Sequence, residues 1–275
     1  LLNTVCGEKI AIVSNKPQTT RNRITGIYTK GEDQFVFLDT PGIHKPRTVL
    51  GDYMVRTANG SIGEADAILL VVEPVPSVGE IEAGIIEKIR ASKTPAILVV
   101  NKVDEHTPAD IAATIAAYAA AYDFDAVVPI SAKSGKGVDA LFEEASKFLY
   151  ESVWYFPEDA VTDQPERQIA AEIIREKLLR TLNKEIPHGT AVVIEEFREE
   201  KNIIRIRAEI FCEKASHKGI IVGKNGAALK LVGTYAREDL EKFLGTKVYL
   251  NLWVKVKENW RESAATVGNF GYRDE

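Results

Sequence analysis

Hydrophobic residues follow two rhythms along the chain. Residues 67–72 (AILLVV), 96–100 (AILVV) and 126–130 are continuous apolar runs of strand length. Helical periodicity fills residues 81–91, 108–122 and 138–150 between and after them, with Thr107 placed as an N-cap before Pro108. Buried strands alternating with helices predict a parallel sheet covered on both faces. Upstream, residues 1–7 read as the end of a helix with a glycine stop, and residues 9–14 as a short strand or an extended loop. Residues 15–23 (NKPQTTRNR) read as an exposed loop. Residues 24–30 and 34–39 make a hairpin around Gly31-Glu32-Asp33, and a proline-bearing loop over 43–50 leads into a helix through Gly63.

The alternation stops at residues 151–165, rich in aromatic, proline and acidic positions and read as a linker. Beyond it the rhythm changes. An amphipathic helix over 166–183 precedes a hairpin of 190–197 and 202–211, two helices over 213–222 and 227–243, and a strand over 247–256. That order is an α+β unit. The chain divides into an α/β domain over 1–150, the linker, and an α+β domain with a tail over 166–275, and the tail carries no clear pattern from Lys257 on.

Composition narrows the class. With 275 residues, 45% apolar and 27% charged, the chain has the make-up of a two-domain globular protein. No apolar run approaches membrane-spanning length, and LLNTVCGEK lacks the basic start of a secretion signal. Cys6 and Cys212 read as buried reduced thiols, and four scattered histidines offer no zinc set. The net charge of −5 is uneven: residues 160–275 hold 20 basic and 18 acidic side chains, residues 1–159 hold 15 and 22. The basic positions Lys214, Lys218, Lys224 and Lys230 form a candidate anion patch in the less acidic half.

Four motifs carry chemistry in the first domain. Asn101-Lys102-Val103-Asp104 ends a buried parallel strand, where open α/β sheets bind ligands. Asp104 can accept from both the ring N–H and the exocyclic amine of guanine, a pair of donors adenine lacks. Asn101 can bond the N7 side of the base and pin the loop, and the Lys102 stem can lie over the ring. Ser131-Ala132-Lys133 ends the next strand and can offer backbone N–H groups to the guanine O6. Asp39-Thr40-Pro41-Gly42 ends a hairpin strand, where Asp39 can hold Mg²⁺ through water and the Gly42 N–H can meet a γ-phosphate. Thr19 and Thr20, in PQTTR, offer hydroxyls to the same ion. Each motif alone also reads as an ordinary strand end or turn.

In the second domain, Gly223-Lys224-Asn225-Gly226 joins two helices. The N–H groups opening the second helix, with Lys224, form an anion-binding geometry. A helix-GxxG-helix inside a small α+β unit is how a KH module clamps single-stranded RNA. Ile220, Ile221 and Val222 read equally as an apolar wall for bases and as plain helix core, and Lys218 and Lys230 flank the loop.

In order and placement, KPQTTR, DTPGIHKP, NKVD, SAK, IIREKL, VGKNG and LWVKVKENW resemble the Era family of bacterial ribosome-assembly GTPases. The resemblance runs from Leu1 nearly to the end. It implies a P-loop-type GTPase domain followed by a type II KH domain, with GTP/GDP and Mg²⁺ as cofactors and Thr20 favoured over Thr19 as metal ligand. Val103 and Ile43 lie within the implied nucleotide site, Ile43 where other GTPases carry a water-orienting glutamine. No catalytic base is evident, so hydrolysis is expected to be slow and to rise when RNA or the subunit orders the loops. The implied partners are the 3′ end of 16S rRNA and the small ribosomal subunit. A cytoplasmic monomer is expected, with a peripheral contact at the inner face of the cell membrane.

One departure stands out. The phosphate-binding motif GxxxxGK(S/T) does not occur: Gly135-Lys136 and Gly223-Lys224 are not followed by Ser or Thr. The expectation is that the first strand and the P-loop precede Leu1 in the intact protein. The rival readings are a chain that has lost GTP binding and serves as a nucleotide-independent RNA scaffold, and a GTPase whose second domain docks protein.

Overall fold

The structure, a computed structural model, describes residues 1–183 and 186–273. Lys184, Glu185, Asp274 and Glu275, which belong to the expected second domain, lie outside the described residues. In chain order the elements are α1 (Leu2–Cys6), β1 (Ile24–Lys30), β2 (Asp33–Asp39), α2 (Val49–Glu64), β3 (Ile68–Val72), α3 (Glu80–Ser92), β4 (Ala96–Val100), α4 (Pro108–Ala121) and β5 (Ala126–Pro129). There follow α5 (Val138–Ser146), α6 (Glu166–Thr181), β6 (Ala191–Glu200), β7 (Ile203–Cys212), α7 (Ala215–Val222), α8 (Ala227–Leu244), β8 (Lys247–Val256) and α9 (Ala264–Asn269). They form two compact units. One holds Leu1–Glu8, Gly26–Leu38 and Ala58–Val161; the other holds Lys9–Thr25, Asp39–Thr57 and Thr162–Glu275. The division therefore does not follow a single cut at the linker, because two segments of the first half group with the second.

In the first unit β3, β4 and β5 pair in parallel in that order. Every residue of β4 is buried. Leu98 and Val100 pack with Ile86, Ile89 and Tyr118 on one face, and Ile97 and Val99 with Val128, Ile130 and Leu141 on the other. Each such side chain contributes roughly 1.5–3 kcal/mol of burial, so β4 anchors the loop that follows it. Thr107 caps α4 as expected, in a reciprocal capping box with Asp110. Two expectations fail here. The continuous apolar run of β3 is not wholly buried: Val71 is exposed. The helix expected to reach Tyr150 ends at Ser146, where the chain tightens into three-residue bonds at Lys147, Phe148 and Leu149.

The paired strands β1 and β2 carry Tyr28, Phe35 and Phe37 against Phe142 of α5. The stretch read as the linker over 151–165 is bonded to this hairpin. The Gln34 amide receives the N–H groups of Tyr155 and Phe156 at 3.0 and 3.1 Å and donates to the Phe156 carbonyl at 2.9 Å. The Trp154 indole donates to Glu32 O at 2.9 Å. Burial pushes the Cys6 thiol up to about 11, which keeps it protonated.

The second unit is an α+β layer. β6 and β7 are antiparallel, with an irregularity between Ile194 and Glu196, and β8 adds to β7 in parallel. Residues at even positions of β7 and β8 (Ile204, Ile206, Ala208, Ile210, Val248, Val254) enter one core with Ile169, Ile173, Ile174 and Leu178 of α6 and Val232, Ala236 and Leu240 of α8. The patternless tail is ordered: Trp260 is fully buried, donates to Gly189 O at 2.9 Å, and packs with Leu50, Tyr53, Met54, Val267 and Tyr272.

The amphipathic reading of α6 is incomplete, because its polar positions are buried too. Arg175, Glu176 and Lys177 are covered along with the apolar stripe. The cover is the segment Lys9–Thr25, which is neither a strand nor a wholly exposed loop: Ile10, Ala11, Ile12 and Arg21 are all buried.

Candidate functional site

The residues expected to meet a guanine lie in the first unit, after the ends of β4 and β5. Asn101 continues β4 by donating its N–H to Val72 O at 2.8 Å, and its Oδ1 accepts the Ala132 N–H at 2.9 Å. This pins one loop to the other. Lys102 adopts left-handed backbone, φ 66°, and its ammonium pairs with Glu73. That turn lets the Val103 N–H reach Ile130 O at 3.2 Å and brings Asp104 out to solvent. A hydrogen bond from the Ser131 hydroxyl holds the Asp104 carboxyl below the usual carboxylate range, so it is an acceptor at neutral pH.

Ser131 is buried, and the loop after it is closed by Ser131 N to Lys136 O at 2.9 Å. Gly137 permits this turn: a Cβ there would sit 2.4 Å from Pro129 O. The expectation that the Ser-Ala-Lys N–H groups all face the ligand narrows. Ser131 and Ala132 spend theirs on Lys136 and Asn101, and the Lys133 N–H alone has no partner among the described residues.

In the second unit the Thr20 hydroxyl approaches Asp39 Oδ2 at 3.5 Å, while the Thr19 hydroxyl turns back to Lys16 O at 2.6 Å. Burial pushes the Asp39 carboxyl up, opposed by hydrogen bonds from Thr20 and the Thr40 backbone. A half-buried carboxylate beside a hydroxyl is an all-oxygen donor set that suits a hard divalent cation, whose charge would reverse that shift. Beyond Thr40 and Pro41, the Gly42 carbonyl bonds His44 Nδ1 at 3.0 Å, and His44 Nε2 lies 3.3 Å from the Gln18 amide. Ile43 is half-buried and has no group that could orient water.

What holds this loop escaped sequence reading. Arg175 of α6 donates to Thr19 O and is itself paired with Glu172 at 2.6 Å. Arg21, 1% exposed, donates to Thr190 O at 2.7 Å and His188 O at 2.9 Å. Lys16 caps the end of α6 by donating to Leu179 O and Leu182 O. Glu176 accepts from Lys177, Lys9 and the Val13 N–H at 2.8, 2.9 and 2.9 Å. Three adjacent charges inside an apolar helix (IIREKLL) were the available signal.

The GKNG loop, also in the second unit, keeps its expected shape. Gly223 ends α7 at φ 73°, and Asn225 and Gly226 follow at φ 51° and 78°. A Cβ on Gly223 would lie 2.7 Å from Ala228 Cβ and 2.9 Å from Ala228 N, whereas one on Gly226 meets open space. The close approach that needs glycine is thus within the motif, between α7 and α8. The backbone N–H groups of Lys224 and Asn225 have no partner among the described residues, and both side chains are unpaired there. Lys218 and Lys230 are exposed beside them. The apolar wall is corrected: Ile221 is fully buried core and Val222 packs against that core, so of the three only Ile220 faces solvent.

Comparison with known proteins agrees with this layout. Residues 1–102 match the family model described as a 50S ribosome-binding GTPase, and residues 185–261 match a KH domain. The GTPase Era of Clostridioides difficile is 51% identical over 277 residues, covering 100% of this chain and 93% of that protein. The GTPase Era of Ruminiclostridium cellulolyticum is 49% identical over 274 residues, covering 99% and 92%. The structure of an Aquifex aeolicus Era variant bound to GDP·AlF4− superimposes with a TM-score of 0.95 at 38% identity, covering 98% of this chain and 93% of that one. An Era complex with MgGDPNP and nucleotides 1506–1542 of 16S rRNA does so with a TM-score of 0.95 at 39% identity, with the same coverage. With a GTPase domain and a KH domain in one chain, and such identity over nearly its full length, the chain belongs to the Era GTPase family.

Proposed function

We propose that this chain binds and hydrolyses GTP with Mg²⁺, grips the 3′ end of 16S rRNA through GKNG, and assists assembly of the small ribosomal subunit. The observation that carries the nucleotide half is the Asn101–Ala132 pin, with Asp104 ionised beside Ser131. It presents two carboxylate lone pairs to a purine with two adjacent donors. Asp39 and Thr20 would hold the Mg²⁺, which neutralises phosphate charge when bound. Hydrolysis by the chain is slow, because Ile43 orients no water, and speeds up when RNA is bound. The RNA half rests on the unpartnered N–H groups of Lys224 and Asn225 beside the Lys224 ammonium. The related complex with 16S rRNA supports that choice of partner. The protein works as a cytoplasmic monomer that touches the inner face of the membrane peripherally; no helix among the described residues is long and apolar enough to cross it.

One titration series tests both halves. Fluorescent GDP and ADP analogues with Mg²⁺ are titrated into the 275-residue chain and its Asp104→Ala variant. Loss of two hydrogen bonds to a charged acceptor is expected to weaken GDP at least about a hundredfold and leave ADP unchanged. Equal binding of both analogues by the unaltered chain overturns guanine recognition. In parallel, Lys224→Asp with Asn225→Asp is expected to abolish binding of a 16S 3′-end oligonucleotide without altering the circular dichroism; retained affinity overturns the clamp.

A further inference from the structure

One face of the β6–β7–β8 sheet is covered by α6 and α8, and most of the other is open. Trp260 and Phe270 cover only its end, where Phe211 and Phe270 stack at 4.4 Å. Register fixes three open rows. Arg198, Arg205 and Tyr249 align in one, Glu196, Arg207 and Asn251 in the next, and Val193, Glu209 and Trp253 in the third. Trp253 is 59% exposed and Tyr249 51% exposed. Large aromatics are seldom left so open on a sheet without a use.

Charge accompanies them. The Arg205 guanidinium lies over the Tyr249 ring at 5.2 Å. Glu209 is neutralised by Lys255 at 2.5 Å, and Glu200 is shared by Arg205 at 3.0 Å and Arg198 at 3.9 Å. Arg207 has no ion-pair partner among the described residues. Flat rings on one face of a strand, flanked by guanidinium groups on the next two, are the elements with which sheets bind single strands: stacking for bases, arginine for phosphates. Tyr249 and Trp253 are four residues apart, about 13 Å along the strand, so they serve separate bases. β8 is also the edge strand, and α7, which ends at GKNG, packs beside it.

We propose that this open face is a second single-stranded RNA surface, on which Trp253 and Tyr249 stack bases while Arg198, Arg205 and Arg207 meet phosphates of a strand that leaves the GKNG clamp around β8. It rests on the RNA-binding reading above. The test compares two oligonucleotides by fluorescence anisotropy, one of about four nucleotides that fills a KH clamp and one of about twelve that can extend beyond it. Trp253→Ser with Tyr249→Ser is expected to weaken the long RNA on the order of tenfold to a hundredfold and leave the short one unchanged. Arg207→Glu, at an exposed side chain with no ion-pair partner among the described residues, is expected to lower the salt slope for the long RNA by about one. Unchanged affinity of both variants for the long RNA overturns the proposal, as does an equal loss on both lengths. Lys224→Asp with Asn225→Asp should abolish binding of the short RNA. If that variant keeps the short RNA, the clamp is wrong, and the aromatic variant still reports separately on this face.

Discussion

Two loops of the second unit carry the proposed metal and RNA contacts, and they are held by opposite means. The Lys9–Thr25 segment has almost no regular structure and is fixed by charge: Arg21, Arg175, Lys16 and the Glu176 cluster bind its backbone or its ends to α6 and the start of β6. The GKNG loop is fixed by backbone conformation, with three positive-φ residues and no ion pair among the described residues. The first arrangement makes the backbone beside Thr20, the proposed metal ligand, depend on a helix more than a hundred residues away in sequence. The second is written into four consecutive residues. A loop of the first kind can be reset by anything that moves α6; one of the second kind keeps its shape and waits for its ligand.

The sharpest way to break this contrast is to remove Glu176. Its side chain is fully buried and serves Lys9, Lys177 and Arg180. Glu176→Ala leaves Lys177, nearly as buried, with only Asp239. Truncating one partner of a buried charge cluster costs about 3–5 kcal/mol, read as a fall in the urea midpoint. A loss under about 1 kcal/mol would mean that apolar packing of Ile10 and Ile12 holds the segment and the charges are incidental.

The two glycines of GKNG sharpen the other side. Gly223→Ala must accept φ 73° with ψ 175°, a region essentially reserved for glycine that costs about 1–3 kcal/mol, and a collision with Ala228 that no rotamer relieves. A total of about 2–3 kcal/mol is expected. Gly226→Ala meets only the backbone penalty, about 1 kcal/mol, because its Cβ enters open space. Thermal unfolding of the pair separates the readings. Equal losses would mean that the loop is not held by the approach of α7 to α8.

These contrasts follow what the sequence could reveal. Period and length placed β4 and β8 to the residue, because an unbroken apolar run and a strand bounded by a glycine turn have few alternatives. The Asn101 and Ser131 loops were legible because they end such strands. GKNG was legible because glycine spacing states a backbone requirement directly. The clamp on Lys9–Thr25 was not. Its partners are separated by 156 to 169 residues at Arg175–Thr19 and Arg21–Thr190, and charged residues on a helix ordinarily mark its wet side. The same rule hid the burial of Arg175, Glu176 and Lys177. Ile220, Ile221 and Val222 were left open between wall and core because three adjacent apolar residues on a helix cannot all face one way, and burial decides Ile221 for the core.

Acid gives the smallest and most specific probe of the charge-held loop. Burial works against an ionised Asp239, but Lys177 and Lys9 prevail and bring its carboxyl from 3.8 down to about 2. Glu176 shifts the same way, burial again opposing and Lys177, the Val13 N–H and Lys9 prevailing. A carboxyl depressed in the folded state contributes stability that is fully present above its unfolded value and is lost as pH falls through the folded one. Asp239 should therefore make stability decline between about pH 4 and about pH 2, by about 1–2 kcal/mol. Asp239→Asn should flatten the dependence of the urea midpoint on pH across that window and lower the midpoint at neutral pH. An unaltered slope would assign the acid sensitivity to other carboxylates and leave Lys9 tied to α6 through Glu176 alone. The Gly223 and Gly226 variants should keep the slope of the unaltered chain, since no carboxylate takes part in holding their loop.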